Sequence, residues 1–414
     1  MDKHGQTWTN IDKSTNIDKL RHHWTVHPPS LMQRVAYILL LACLVCMVTW
    51  FSLHRRASQR HAATEKSQSG PDECPFTIRQ LNQTTYLVRE RDRFGEYPHI
   101  YVKKHTETLP DGQRASVLIV NDTGCGTSTR NHTTTTSQDW NIRTFIDHHL
   151  NPNRDDILYL VILSHCHYDH ILGLEPLLHS PQRRNIAILS SSHDPAFLHP
   201  RSNLEQHSLC ASMNLRCPVY RTSLWAAHDQ HLTIPHPHLP TPLHLPLTTL
   251  HIPGHTPDSL AWYDAAERAL YVGDALYERQ SPESRAAPWG GEAPAPILFP
   301  GEGDLVAWWR SVHLLLGFVE RRNAETACRC VTLSAGHVTV GVDAVACLLA
   351  VRRFMARVLR GEVEVREQPE KRGERFGYWV EEGGRFSLGA PLRVVGEGRV
   401  GIPEDEWREG GMVG

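Results

Sequence analysis

The sequence predicts an α/β domain, on three observations. Between Cys74 and about Arg360, short strand-like runs alternate with turns and helical stretches. Side chains of the metal-ligand type follow several of those runs directly, at the strand ends where α/β proteins gather their sites. With 40% hydrophobic and 21% charged residues, the chain can bury a sizeable core. Its 414 residues exceed one average domain, and one α/β domain of about 250 to 300 residues with appendages accounts for them.

The strand candidates are, in order, Thr85–Val88, Ile100–Lys103, Ser116–Val120, Ile157–Leu163, Ile186–Leu189, Leu247–Ile252, Ser259–Tyr263, Ala269–Val272 and Arg329–Leu333. Ser259–Tyr263 and Ala269–Val272 read as a hairpin. Asp304 caps a helix with Leu305, Trp308, Val312, Leu315 and Val319 on one face. Asp343 caps another, which presents Val345, Leu348, Phe354, Met355 and Leu359 and stops at Gly361. Phe376–Val380 and Arg385–Leu388 read as a closing hairpin, so the folded domain is expected over residues 74–395, with a polar, frayed tail over 396–414.

Ahead of this domain, residues 1–34 repeat TNIDK at 9–13 and 15–19 and then run through a His/Pro stretch without periodicity, which is expected to be disordered. Residues 35–53 form an apolar run of 19 residues without a charge, between Arg34 and Arg55-Arg56. At ~1.5 Å per residue that length matches a bilayer core, and a transmembrane signal anchor is expected in preference to a buried helix or a cleaved signal peptide. Residues 54–73 read as a polar linker. Lys13, Lys19, Arg21 and Arg34 precede the span and Arg55, Arg56, Arg60 and Lys66 follow it, so flanking charge assigns neither side to the catalytic domain. Sequons at Asn82, Asn121 and Asn131 would favour a lumenal domain if they were glycosylated. Cys43 and Cys46 lie within the apolar run and read as ordinary helix composition.

The charge balance, 43 basic against 45 acidic side chains for a net −2, leaves no electrostatic footprint for coating nucleic acid, and no nucleic-acid partner is expected. Ten cysteines are too dilute for a disulfide scaffold.

Of 27 histidines, the informative ones cluster in Ser164-His165-Cys166-His167-Tyr168-Asp169-His170, directly after the apolar run 157–163. Three imidazoles and a carboxylate at i, i+2, i+4 and i+5 are the donor set of a Zn²⁺-class cation. In an extended segment His165 and His167 face one side, whereas Asp169 and His170 fall at the start of the following helix and can reach a second ion. Pro253-Gly-His255, Val272-Gly-Asp274 and Ser334-Ala-Gly-His337 follow later strands in the same manner. Cys166 and Tyr168 alternate away and are expected to pack beneath the loop. The segment 228–251, rich in His and Pro, is expected to be a loop until Leu247. The loop 280–303, with Trp289, Leu298 and Phe299, is a candidate substrate wall.

Over residues 75–360 these motifs resemble the metallo-β-lactamase superfamily. Its HxHxDH signature stands complete as His165, His167, Asp169 and His170, and Asp122 in Asn121-Asp-Thr-Gly124 matches an early DTG that organises the site. The resemblance implies a four-layer αβ/βα sandwich. It places His165, His167 and His255 on one metal, Asp169, His170 and His337 on a second, and Asp274 between the two. It also implies two divalent ions, most simply zinc, with manganese and iron as the other candidates. An aspartate at the bridging position is similar to glyoxalase II enzymes, lactonases and phosphodiesterases rather than to true β-lactamases. Tyr277, in Asp-x-x-Tyr spacing after Asp274, resembles the carbonyl-binding tyrosine of lactonases and acyl-thioester hydrolases.

The chemistry so implied is hydrolysis of an ester, lactone or thioester by a hydroxide bridging the metals, with Asp169 orienting it and passing on its proton and with Tyr277 as a second catalytic residue. The expected substrate is a small molecule, with a lean to acyl or lipid-like compounds from the membrane span. Three other readings compete: a metal-dependent phosphodiesterase, an iron-dependent thiol dioxygenase and a non-catalytic membrane protein stabilised by metal.

Overall fold

Side-chain alternation along the strands assigns each face of the two main sheets. The computed structural model describes residues 74–408 except 110, 111, 113, 130–138, 180–184, 238, 327–329 and 382. The expected disordered segment 1–34, membrane span 35–53 and linker 54–73, and the sequon at Asn131, lie outside the described residues.

The first sheet has seven strands in sequence order: β1 (Phe76–Gln80), β2 (Thr85–Glu90), β3 (His99–Thr108), β4 (Arg114–Asn121), β5 (Leu158–Ile162), β6 (Ile186–Ser191) and β7 (Leu224–Ala226). Its first four strands are antiparallel, and β4 to β7 pair in parallel. The second sheet contains β8 (Gln230–Ile234), β9 (Leu243–His251), β10 (Leu260–Asp264), β11 (Ala269–Tyr271), β13 (Thr332–Ser334) and β14 (Val342–Asp343), in the order β14-β13-β11-β10-β9-β8. A smaller sheet joins β12 (Ile297–Leu298), β17 (Ser387–Pro391), β16 (Glu374–Val380) and β15 (Val365–Lys371).

Val117 and Ile119 of β4 and Leu158, Leu160 and Ile162 of β5 meet Leu247, Trp262 and Tyr271 of the second sheet in one apolar cluster. The residues between them, Leu118, Val120, Tyr159 and Val161, pack instead on the helix Ile142–Leu150 and its neighbours. Ala261, Tyr263 and Leu270 likewise turn outward onto the helices Leu305–Ala324 and Ala344–Leu359. This period of two buries both faces of each sheet and sets helices outside on either side.

The expected helix caps form. Asp304 accepts from the N–H of Val306 and Ala307, and Asp343 accepts from that of Ala346; each cap contributes about 1 kcal/mol. The 260–271 hairpin and the closing hairpin of β16 and β17 also form.

Two expectations fail. Ahead of Leu247, where a loop is expected, Gln230–Ile234 and the first residues of Leu243–His251 pair as strands β8 and β9; the register slips between His231 and Thr233, and the resulting bulge takes up Pro246 where no ladder N–H is required. The segment 396–414, expected as a polar tail, carries the end of a helix at Leu392–Gly401 and a further helix at Glu404–Arg408. Ile402 and Trp407 are buried against the second sheet's helices, so a few apolar residues suffice to dock this end. Asn121 cannot present a sequon from the folded domain. It is 2% exposed, donating to Ile162 O and accepting from Trp262 Nε1 across the sheets.

Candidate metal centre

Parallel pairing of β4 with β5, and of β11 with β13, brings the C-terminal ends of each pair to the same edge. Two backbone hydrogen bonds stitch these edges together: Leu260 N–H to Ser164 O, at 2.8 Å, joins the sheets, and Gly336 N–H to Gly273 O, also at 2.8 Å, joins the β11 and β13 loops. Gly273 sits at φ +52°, and a Cβ on it would lie 2.7 Å from that of Ser164, so only glycine fits the turn that delivers Asp274.

His165, His167 and His255 converge in one buried group, and Asp169, His170, Asp274 and His337 in a second. All seven residues singled out as metal ligands in the sequence are therefore brought together. His165 Nε2 lies 3.0 Å from His167 Nδ1, and His255 Nε2 lies 3.2 Å and 2.9 Å from those two atoms. In the other group, Asp169 Oδ2 is 3.3 Å from His170 Nε2 and 3.2 Å from His337 Nε2, while Asp274 reaches both rings at 3.4 Å. Asp274 Oδ2 is also 4.0 Å from His255 Nε2, so this carboxylate stands between the groups.

Four of the five rings have their outer nitrogen occupied. His170 Nδ1 faces Asp122 Oδ2 at 3.0 Å, His255 Nδ1 faces Leu298 O at 2.7 Å, His337 Nδ1 faces Glu96 O at 2.9 Å and His165 Nδ1 faces Ser164 Oγ at 3.0 Å. Where Nδ1–H is held by a carbonyl or carboxylate, Nε2 keeps its lone pair for the interior of the site. Asp122, at φ +61°, also accepts from Ser164 N–H and Oγ–H, the organising part that the DTG resemblance implies.

The donor set fits divalent metal. Three ring nitrogens at 2.9 to 3.2 Å cannot each hydrogen-bond the other two. Ligands ~2.0–2.1 Å from one tetrahedral ion lie about 3.3 Å apart, close to the separations here. His170 Nε2 and Asp274 Oδ1 are buried and face each other at 3.4 Å without a well-formed hydrogen bond, an arrangement that a cation between them would satisfy better. A Cβ on Gly336 would come 2.3 Å from Asp274 Oδ1 and fill this space. Burial pushes the His165, His167 and His255 imidazoles to lower pKa, towards the neutral form that ligates. Burial opposes ionisation of Asp274, but His337 and His170 outweigh it and hold the carboxyl well below its usual range.

Tyr277 is 5% exposed, its ring centroid 5.4 Å from that of His337. Burial, then Asp274, raises its phenol well above the ordinary value, so the hydroxyl stays protonated and can donate. Tyr168 points away and donates to Glu96, and Cys166 is buried in the apolar cluster under the first sheet. Within the 280–303 loop, β12 pairs with β17 and carries the Leu298 carbonyl that holds His255. Sequence reading missed Glu96 and Asp92, which lie in the β2–β3 turn; the available signal was Asp92-Arg-Phe-Gly95, a turn composition.

The layered sheets and the two groups at their shared edge, one of three histidines and one of two histidines with two aspartates, define an α/β protein with a candidate site for divalent metal. Residues 111–316 match the family model described as the metallo-beta-lactamase superfamily. The chain belongs to the metallo-β-lactamase superfamily. His337 lies beyond the matched span, yet the structure sets it in the second group. A protein of Aspergillus versicolor named "Putative transcription factor avaE" is 29% identical over 308 residues, covering 71% of this chain and 79% of its own length. Among solved structures, a metallo-beta-lactamase from Pontibacter korlensis is similar with a TM-score of 0.38 and 14% identity, over 66% of this chain and 95% of its own. The B3 metallo-beta-lactamase BLEG-1 is similar with a TM-score of 0.35 and 16% identity, over 63% of this chain and 91% of its own.

Proposed function

We propose that the chain is a hydrolase with two divalent ions, zinc in the simplest case, acting on an ester, lactone or thioester of a small acyl or lipid-like molecule, and tethered to a membrane through residues 35–53. One observation carries the hydrolytic reading: three histidines on one side and two histidines with an aspartate on the other meet with Asp274 between them. His165, His167 and His255 would hold one ion, Asp169, His170 and His337 the other, and Asp274 both. Ions bound there supply a Lewis acid and lower the pKa of water from ~15.7 towards about 7.

The protein's own residues do the rest. Asp169, with one carboxylate oxygen towards His170 and His337, orients the attacking water and accepts its proton for delivery to the leaving group. The Tyr277 phenol donates to the oxygen on which charge develops. Leu298 O, Glu96 O and Asp122 fix the ring tautomers, so the donor geometry does not have to reorganise during turnover. The aromatic side chains of the 91–98 turn and the 280–303 loop, with Tyr97 stacked on Trp289 at 5.8 Å, suit an apolar acyl group. The near-neutral charge balance supports neither a phosphodiester nor a nucleic-acid partner, and the name of the Aspergillus relative adds no such partner to this reading.

The direct experiment assays the zinc-loaded full chain on matched thioesters, lactones, phosphodiesters and β-lactams. Turnover of a carboxylic ester class is expected; turnover of phosphodiesters alone overturns the reading.

A further inference from the structure

Between β2 and β3 the chain turns over residues 91–98. Asp92, 8% exposed, gathers this turn: its Oδ1 accepts from the N–H of Phe94 at 2.7 Å, Gly95 at 2.9 Å and Glu96 at 3.3 Å, and its Oδ2 accepts from Tyr97 N–H at 2.7 Å. Four consecutive amides on one carboxylate fix a backbone that includes Tyr97 at φ +51°, a left-handed conformation that a tyrosine adopts only under constraint.

Three contacts lead from this turn into the second His/Asp group. The Glu96 carbonyl accepts from His337 Nδ1 at 2.9 Å. The Glu96 carboxylate accepts from the Tyr168 hydroxyl, and Phe94 meets the Tyr168 ring edge-on at 5.3 Å. Tyr168 opens the short helix that carries Asp169 and His170. One turn thus contacts both His337 and the helix that carries Asp169 and His170.

We propose that Asp92 is a positioning residue for the group Asp169, His170, Asp274 and His337, acting through the Glu96 carbonyl to keep His337 Nε2 turned inward. Asp92 touches none of the four. Without its carboxylate the turn loses the acceptor common to four amides, the Glu96 carbonyl drifts, and His337 is free to rotate or to move its proton to Nε2. The group containing His165, His167 and His255 is held by Leu298 and Ser164, which belong to other elements, and is untouched. This inference rests on the proposal that the two groups bind metal.

The test measures stepwise zinc affinity of the full-length chain by chelator competition, with the absorption spectrum of the cobalt(II)-substituted protein as an independent record of the ligand field. His255→Ala and His337→Ala identify which step belongs to which group. Asp92→Ala is expected to weaken the His337 step about 10–100-fold, the range for outer partners of ligating histidines, while leaving the His255 step at its wild-type affinity. Asp92→Asn, which retains one acceptor oxygen, is expected to fall between. Wild-type affinity for both steps in Asp92→Ala overturns the proposal, and so does equal loss of both, the mark of a merely structural role. Should Asp92→Ala fail to fold, Asp92→Asn decides in the same way. Fewer than two ions on the wild-type chain sinks the underlying metal reading, whereas two ions on the wild type with both steps of Asp92→Ala at wild-type affinity sinks only this inference.

Discussion

His170 Nδ1 lies 3.0 Å from Asp122 Oδ2, a residue 48 positions earlier in the chain, and the same carboxylate receives the Ser164 N–H and hydroxyl. A loop at the end of β4 therefore sets the ring orientation of a residue delivered by β5. Asp122→Ala removes three hydrogen bonds at once and frees the imidazole. Metal affinity of the second group is expected to fall about 10–100-fold, measured by competition with a chelator; retention of wild-type affinity would show that the ring is held without Asp122.

For Tyr277 the prediction separates chemistry from assembly. Its ring packs 5.4 Å from that of His337, but it is not one of the seven grouped residues. Tyr277→Phe is expected to keep full metal content and lower kcat about 10²-fold, the effect of losing one donor to a developing oxyanion. Turnover at the wild-type rate assigns Tyr277 to packing alone.

The chemistry of the centre was more legible in the sequence than the fold's periphery. Apolar runs stop at Ser164, Pro253, Gly273 and Ser334, each followed within three residues by a His or Asp, so the seven grouped residues could be named before their geometry was known. Residues such as Glu96 and Leu298 act through main-chain carbonyls, which every residue possesses, and no side-chain pattern reports them. The β8–β9 hairpin was hidden because its prolines suppress the strand signal, and a bulge absorbs the one at 246. The last helix escaped because a single tryptophan at 407 anchors it.

Lys103 and Asp264 form an ion pair of 2.6 Å between the sheets, with side chains 1% and 0% exposed. Lys103 also donates to Thr84 Oγ1 at 2.7 Å. Lys103→Met leaves a buried carboxylate without its counter-charge and is expected to cost about 3–5 kcal/mol in urea unfolding. The double variant Lys103→Met/Asp264→Asn is expected to recover a large part of that loss; no recovery would mean that the lysine contributes by packing rather than by charge.

Burial pushes Glu90 from its ordinary 4.5 up to about 7, although the Cys125 and Thr127 N–H groups donate to it. Between those two values the folded chain holds a proton that the unfolded chain has released. Stability from this group is therefore full below about 4.5 and is lost as pH rises to about 7, at a slope approaching ~1.4 kcal/mol per pH unit. Asp258, also pushed up to about 7 by burial, acts with the same sign. The buried His165, His167 and His255, with lowered pKa, act with the opposite sign, so the prediction is a difference: in urea unfolding between about pH 5 and pH 7, Glu90→Gln is expected to gain stability relative to the wild type as pH rises, having lost the downward slope that Glu90 contributes. An unchanged slope in the variant would exclude Glu90 as its source.

Counting metal per chain probes the assembled centre most simply. Full-length protein dialysed against zinc and then freed of unbound ion is expected to carry two ions, falling to one in His255→Ala or His337→Ala. A wild-type chain that retains fewer than two divalent ions, or variants that retain both, would contradict the binuclear centre.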